Sequence, residues 1–287
     1  MKLAVRNLSF SYGLKEIIDI DNQEFESSNI YGIVGRNGAG KTTFFKLLTN
    51  IIVSYAGDVI IGGEVVKNNP AVLSDVGIVL DDMELYKHQS GLFNLRYFGG
   101  LRGSYNEAKA LQLAQELDLA ADIHNKVGSY SLGMSKKLIL LIAIMNDAQI
   151  LILDEPFRGL DSKSVTWFKD YLLNLKEEGK MIFISSHIQD DIEALSDKVL
   201  VLENGQFANQ FDLRTESLSY IYQVEVNKPE EFSAFLEEKS IQSQIAGKLV
   251  RFTLDDEAFK ELFKEVVAKG IEFYQIKKES QFTELVK

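Results

Sequence analysis

The residues from Gly35 to Thr42 read Gly-Arg-Asn-Gly-Ala-Gly-Lys-Thr and fit the pattern G-x-x-x-x-G-K-[ST] without a mismatch. Glycines at this spacing permit a tight loop whose backbone N–H groups turn inward at phosphate oxygens. A helix starting at the end of the loop would add its positive N-terminus. In this pattern Lys41 reaches the β- and γ-phosphates of a nucleotide, and the Thr42 hydroxyl ligates Mg²⁺. A second pair, Asp154-Glu155, closes the apolar run Ile150–Leu153. Beside a phosphate loop, Asp154 would hold Mg²⁺ through its water shell. Successive side chains on a strand point to opposite sides. Glu155 is thereby left free to accept a hydrogen bond from an attacking water and polarise it. The two motifs together predict a nucleotide and Mg²⁺ as the ligands.

The elements that must hold these residues follow from the apolar pattern. Tyr31–Val34 is an apolar strand that runs into the glycine loop, and Phe44, Phe45, Leu47 and Leu48 then fall at helical spacing. Lys2–Val5 and Glu16–Ile20 read as short strands around Ser11-Tyr12-Gly13, and Val59–Ile61 and Glu64–Val66 flank the hairpin signal Gly62-Gly63. Val76–Leu80, Ile150–Leu153, Met181–Ser185 and Val199–Leu202 are continuous apolar runs, as suits central strands covered on both faces. Helices are expected over Gly91–Leu119, Ser162–Lys176 and Gln189–Leu195. This alternation predicts an α/β fold with a parallel core sheet. From about Phe211 the order becomes β-α-β-β-α-β: strand Tyr220–Val226, helix Pro229–Glu238, strands Ser240–Ile245 and Leu249–Leu254, helix Glu257–Lys269 and strand Glu272–Ile276. That order suggests a small ferredoxin-like α+β module.

Composition narrows the function classes. The chain has 287 residues, 46% of them hydrophobic and 25% charged, and a formal charge of −11. Such values suit a globular protein of one large α/β unit or a main domain with a smaller appendage. The acidic balance repels a phosphate backbone, so no nucleic-acid partner is expected. With no cysteine, disulfides and thiol chemistry are excluded, and a reducing compartment fits. The N-terminus lacks the apolar core of a signal peptide, and Asn146, Asp147 and Gln149 interrupt the most apolar run well short of the roughly 20 residues a membrane span requires.

With both motifs located, the chain resembles the ATP-binding-cassette ATPases over about residues 1–210. Tyr130-Ser131-Leu132-Gly133-Met134 stands where that family carries its signature, usually Leu-Ser-Gly-Gly-Gln. Ser131 and Gly133 match, whereas Tyr130, Leu132 and Met134 depart. The resemblance implies a mixed-sheet cassette with a helical subdomain over about residues 85–145 and an accessory domain over 211–287. It implies that Ser131 and Gly133 bind the γ-phosphate held by the other subunit of a dimer. Asp161, in Gly159-Leu160-Asp161, would belong to the loop that crosses that interface. His187 would contact the γ-phosphate and orient Glu155. Tyr12 would stack on adenine, and Gly35, Asn37, Gly38, Ala39, Gly40, Lys41, Thr42 and Thr43 would surround the phosphates. Asp81 occupies the place of a glutamine that touches Mg²⁺ and the membrane partner. It is either a water-mediated metal ligand alongside Thr42 and Asp154 or a loop aspartate without a metal role.

Within the family, the signature wording and an ending such as Ser280-Gln281-Phe282-Thr283-Glu284-Leu285 look like those of multidrug, bacitracin-resistance and lantibiotic-immunity exporters. The resemblance implies an ATPase that closes as a dimer, either a homodimer or with a paralogue, and drives a separate membrane permease from the cytoplasmic face. Two other readings follow from the same motifs: a soluble cassette ATPase acting on nucleic acid or ribosomes, and a nucleotide sensor with little hydrolysis. The C-terminal module shows no recognisable site. The roles open to it are stiffening the dimer, contacting the permease, binding a regulator, or only extending the interface.

Overall fold

The computed structural model describes residues 1–101, 103, 105–215 and 219–280, so residues 281–285 of the exporter-like ending lie outside the described residues. The chain divides into two compact units, Met1–Phe211 and Asp212–Lys287.

The first unit opens with a long antiparallel ribbon, β1 (Lys2–Tyr12) against β2 (Lys15–Glu26). It pairs from Lys2↔Glu26 to Tyr12↔Lys15. Both strands outrun the short segments expected from the sequence, because Leu3, Val5 and Leu8 of β1 and Ile18, Ile20 and Phe25 of β2 are buried along their length. With β4 (Ala56–Ile61) and β5 (Glu64–Val65) they form a sheet in the order β2-β1-β4-β5. The Gly62-Gly63 hairpin is present as expected.

The central sheet runs β10-β9-β3-β8-β7-β6. Its strands are β3 (Asn29–Val34), β6 (Val76–Val79), β7 (Ile150–Asp154), β8 (Met181–Ser185), β9 (Lys198–Glu203) and β10 (Gln206–Asp212). The pairs β3/β8, β3/β9, β6/β7 and β7/β8 are parallel. All residues of β3, β7 and β8 are buried, as their unbroken apolar runs require.

Helix α1 (Lys41–Leu48) lies directly after the glycine loop and buries Phe44, Phe45, Leu47 and Leu48. Phe44 joins an aromatic cluster with Phe25, Tyr31 and Phe183, in which Phe25 and Phe183 meet edge-on at 4.8 Å. Burying such side chains stabilises by about 1.5–3 kcal/mol each. The core therefore pins the helix whose N-terminus faces the candidate phosphate site.

The helices between β6 and β7 are α2 (Gly91–Gly100), α3 (Glu107–Glu116) and α4 (Leu132–Ile144). Ser90, Asn106 and Ser131 cap them by accepting from Phe93, Lys109 and Met134 N–H, which satisfies amides the helices leave open. Helix α5 (Ser162–Glu177), capped by Asp161, separates β7 from β8, and α6 (Gln189–Leu195) separates β8 from β9.

The second unit contains β11 (Ser219–Val226), α7 (Pro229–Glu238), β12 (Ser243–Ala246), β13 (Leu249–Asp255), α8 (Asp256–Ala268) and β14 (Phe273–Ser280). Its sheet order is β12-β13-β11-β14 with antiparallel pairings. Each crossover helix returns the chain past a neighbouring strand, which is the split β-α-β arrangement of a ferredoxin-like module. Ser240 does not begin a strand. It has φ 62°, and Ser240 and Ile241 N–H bond back to Glu237 and Leu236 carbonyls at 2.9 and 2.8 Å. This is a Schellman end to α7, with Ile241 packed on the core. Among the described residues no helix of either unit is long and apolar enough to cross a membrane.

Candidate nucleotide-binding site

A cleft of about 590 Å³ gathers Tyr12, Ile17, Asn37, Gly38, Gly40, Lys41, Thr42, Thr43, Asp81, Asp154, Glu155, Arg158 and His187. The glycine loop forms its floor. Gly40, the N-cap of α1, has φ 107°, a conformation that a residue with a Cβ rarely adopts. Lys41 Nζ donates to the Gly35 and Arg36 carbonyls at 2.7 and 3.3 Å, folding the loop around its own ammonium group. Burial pushes the Lys41 pKa down, and the charges of Glu155 and Asp154 partly offset this. Gly35 and Ala39 shape the loop without lining the cleft.

Thr42 Oγ1 donates to Asp154 Oδ2 at 2.5 Å, and Ser185 Oγ donates to Asp154 Oδ1. Parallel pairing puts Ser185 directly beside Asp154. Asp154 is almost fully buried, so these hydroxyls stabilise its charge. The next residue leaves the strand. Glu155 has φ 48°, in the left-handed region that side chains avoid, and its N–H donates to the Ser185 carbonyl and hydroxyl oxygens at 3.2 Å each. This kink, rather than strand alternation, sets the two carboxylates apart, and both line the same cleft. Backbone strain of this kind costs on the order of 1–3 kcal/mol and persists only where the surroundings hold it.

His187 Nδ1 lies 2.7 Å from Glu155 Oε2. With Glu155 ionised its oxygens only accept, so Nδ1 carries the proton. The ring thereby orients the carboxylate, which can polarise a water in the cleft. At the other end Tyr12 is 56% exposed and meets Phe10 edge-on at 4.7 Å. Its open ring face can stack on a base.

Asp81 lines the cleft with Oδ2 on Arg158 Nη1 at 2.9 Å. Ser131, Gly133 and Asp161 lie outside the cleft. Ser131 caps α4, and the adjoining Leu132 is 77% exposed. A Cβ on Gly133 would come within 3.0 Å of the Gly159 carbonyl oxygen, so the tip of α4 and the segment before α5 are in close contact. The Asp161 carboxylate is turned to its own chain. It accepts from Ser164 N and Oγ at 2.8 and 2.9 Å and pairs with Lys137 at 2.9 Å. The Lys137 bond, then the Ser164 amide, hold its pKa well below the usual carboxylate range.

Four residues that sequence reasoning did not assign belong to the site or support it. Ile17 and Arg158 line the cleft, and Ser185 anchors both carboxylate positions. Lys136 is buried on α4, and burial lowers its pKa against the opposing charges of Asp81, Asp154 and Glu155. The legible signal was Lys136-Lys137 inside an otherwise apolar helix. Arg158 and Ser185 carried none, because their partners are distant in sequence.

Residues 18–158 match the ABC transporter family. An uncharacterized ABC transporter ATP-binding protein of Bacillus subtilis (strain 168), YhcH, is 29% identical over 96% of this chain and 91% of its own length. The bacitracin transport ATP-binding protein BcrA of Enterococcus faecalis is 32% identical over 74% of this chain and 69% of its length. A solved ATP-binding subunit of an ABC transporter superposes with TM-score 0.69 at 24% identity, covering 74% of this chain and 90% of that one, which supports the fold. A phosphate loop, two carboxylates and a histidine converge in one cleft of a chain with relatives of this kind, and the chain belongs to the ABC transporter family as an ATP-binding, ATP-hydrolysing subunit.

Proposed function

We propose that this subunit hydrolyses ATP with Glu155 as the group that polarises the attacking water and His187 as the residue that orients it. The observation carrying this reading is the 2.7 Å contact between His187 Nδ1 and Glu155 Oε2 in the cleft that also holds Lys41 and Thr42. Lys41 and the loop amides bind the phosphates, and Tyr12 stacks on the base. Thr42 and Asp154 fit Mg²⁺, since both present hard oxygen donors and their oxygens converge at 2.5 Å. When bound, the ion would neutralise charge on the β- and γ-phosphate oxygens. The Glu155→Gln substitution is expected to leave ATP binding intact and lower turnover by about 10²- to 10⁴-fold. Full activity in that variant would overturn the assignment.

The subunit works as a head-to-tail cassette dimer, homomeric or with a paralogue, in which Ser131 and Gly133 of each copy close the other copy's nucleotide. The exposed Leu132 at the tip of α4, outside the chain's own cleft, supports that reading. The dimer sits on the cytoplasmic face of the membrane and drives a separate permease. Exposed Tyr86, Phe93 and Tyr97 support a docking role for α2 and the preceding loop, because their rings cluster at the surface, with Tyr86 and Tyr97 centred 5.0 Å apart. The likeness to BcrA favours export of a drug or antimicrobial peptide. Division of labour follows the chain: residues 1–210 as the cassette, with its helical part over about 85–145, and 211–287 as an accessory domain.

A second reading, a nucleotide switch with little hydrolysis, is favoured by one observation: Asp81 is engaged with Arg158. Single-turnover ATPase measurements with the permease present separate the two. Turnover limited by permease engagement supports transport, and stable ATP occupancy without cleavage supports the switch.

A further inference from the structure

Arg158 is a cation that lines the same cleft as Glu155 and His187, and ATP hydrolysis as derived above does not use it. Its backbone N–H donates to the Glu155 carbonyl at 3.3 Å, which fixes the root of its side chain beside the candidate catalytic carboxylate. The guanidinium touches Asp81 at a single point, Nη1 to Oδ2 at 2.9 Å. Elsewhere in the chain Arg96 grips Glu107 with two parallel bonds of 2.6 and 2.7 Å. The planar fork of Arg158 is thus only partly engaged.

The pair is also weakly held. The side chains of Arg158 and Asp81 are 61% and 49% exposed, and ion pairs in such settings contribute only about 0–1 kcal/mol. A phosphate offers the guanidinium two oxygens in matching geometry and a stronger, charge-assisted contact. The carboxylate left behind is not stranded. It is half exposed, and the buried Lys136 stands within electrostatic reach of it.

We propose that Arg158 is a specificity-determining residue of the nucleotide site: Asp81 holds its guanidinium at the rim, and the terminal phosphate of a nucleoside triphosphate takes it over. A diphosphate lacks the group that completes this exchange, so Arg158 favours the triphosphate. Asp81 is then a counter-ion that sets how readily the exchange occurs. The inference rests on the reading of the cleft as a nucleotide site and adds a residue to it.

Equilibrium binding of radiolabelled ATP and ADP, each with Mg²⁺, to the full chain tests the exchange in wild type, Arg158→Met, Arg158→Lys, Asp81→Asn and the Asp81→Asn/Arg158→Met double variant. Arg158→Met is expected to weaken ATP binding by about tenfold, the loss of one charged hydrogen-bonding contact, and to leave ADP binding nearly unchanged. Arg158→Lys should restore part of the preference, as a point charge without the fork. Asp81→Asn should tighten ATP binding in wild type and have no effect on ATP in the Arg158→Met background. Equal losses for ATP and ADP, or no loss, in Arg158→Met would overturn the proposal. Weaker ATP binding in Asp81→Asn regardless of residue 158, with a raised Mg²⁺ requirement, would also overturn it and make Asp81 a metal ligand. Failure of the wild type to bind either nucleotide would instead overturn the reading of the cleft and remove this inference with it. Both side chains are exposed, and fluorescence of Trp167, the one tryptophan in the sequence, verifies that each variant is folded.

Discussion

The lysine of the phosphate loop sits in an environment that opposes its own charge. Burial lowers the Lys41 pKa below the ordinary value, while Glu155 and Asp154 pull it back up. A bound phosphate would favour the ammonium form, so the nucleotide-bound pKa lies above the free one. Between the two, the complex holds more protons than the free protein. ATP binding should therefore take up protons at alkaline pH, in a window that starts below the ordinary lysine value of about 10.4. Affinity should be level below the free pKa and fall as pH rises through it. Titration calorimetry in two buffers of different ionisation enthalpy reads this directly; identical heats in that window would rule it out. Glu155 shows a different cost at the same scale. Its left-handed backbone is held by Ser185, so a largely buried carboxylate depends on a buried serine of the neighbouring strand.

Among the elements, ends matter more than middles. The glycine loop runs into α1 through its N-cap Gly40, and α1 stays in place because its phenylalanines and leucines are in the core. Asp161 shows how an end can join two elements. Its carboxylate caps α5 and holds Lys137 of α4, tying together the two helices that flank the acidic strand β7. The C-terminus of α7 offers the sharper test. Ser240 occupies the left-handed position of a Schellman motif with φ 62°, where glycine has no Cβ penalty. Ser240→Gly is expected to stabilise the second unit by about 1 kcal/mol. Chemical denaturation followed by the second unit's hydrogen exchange would show this. A destabilised variant would mean that the serine side chain contributes more than its backbone strain costs.

For the molecule as a whole, each of the two units has a hydrophobic core of its own. One gathers Phe25, Tyr31, Phe44 and Phe183, and the other Tyr222, Phe232, Phe252 and Leu262. Phe232 is fully buried, with edge-on contacts to Phe252 and Phe273 at 5.6 Å each. Phe232→Ala should cost the second unit about 3–5 kcal/mol through lost burial and the cavity left behind. Hydrogen exchange should then rise across residues 219–280, with nucleotide affinity unchanged. A large loss of ATP binding in that variant would mean that the accessory unit supports the site.

The nucleotide chemistry was legible because its residues are contiguous. A phosphate loop is built from one stretch of backbone, so Gly35–Thr42 carries both the glycines and the two side chains proposed to act there, and Asp154-Glu155 ends a strand marked by its own apolar run. The β-α-β-β-α-β order of the second unit was equally readable, since hydrophobic periodicity is local. Strand β10 escaped notice because Gln206–Asp212 is polar and largely exposed, although Asn204-Gly205 with positive φ at both residues marks the hairpin turn before it. Other features arise only when distant segments meet. The order β10-β9-β3-β8-β7-β6, the pairing that sets Ser185 against Asp154, and the single-point contact of Arg158 with Asp81 depend on which strands become neighbours in the sheet. Periodicity tells a strand which face to bury. It does not tell it beside whom, and that choice placed Ser185 and Arg158 in this site.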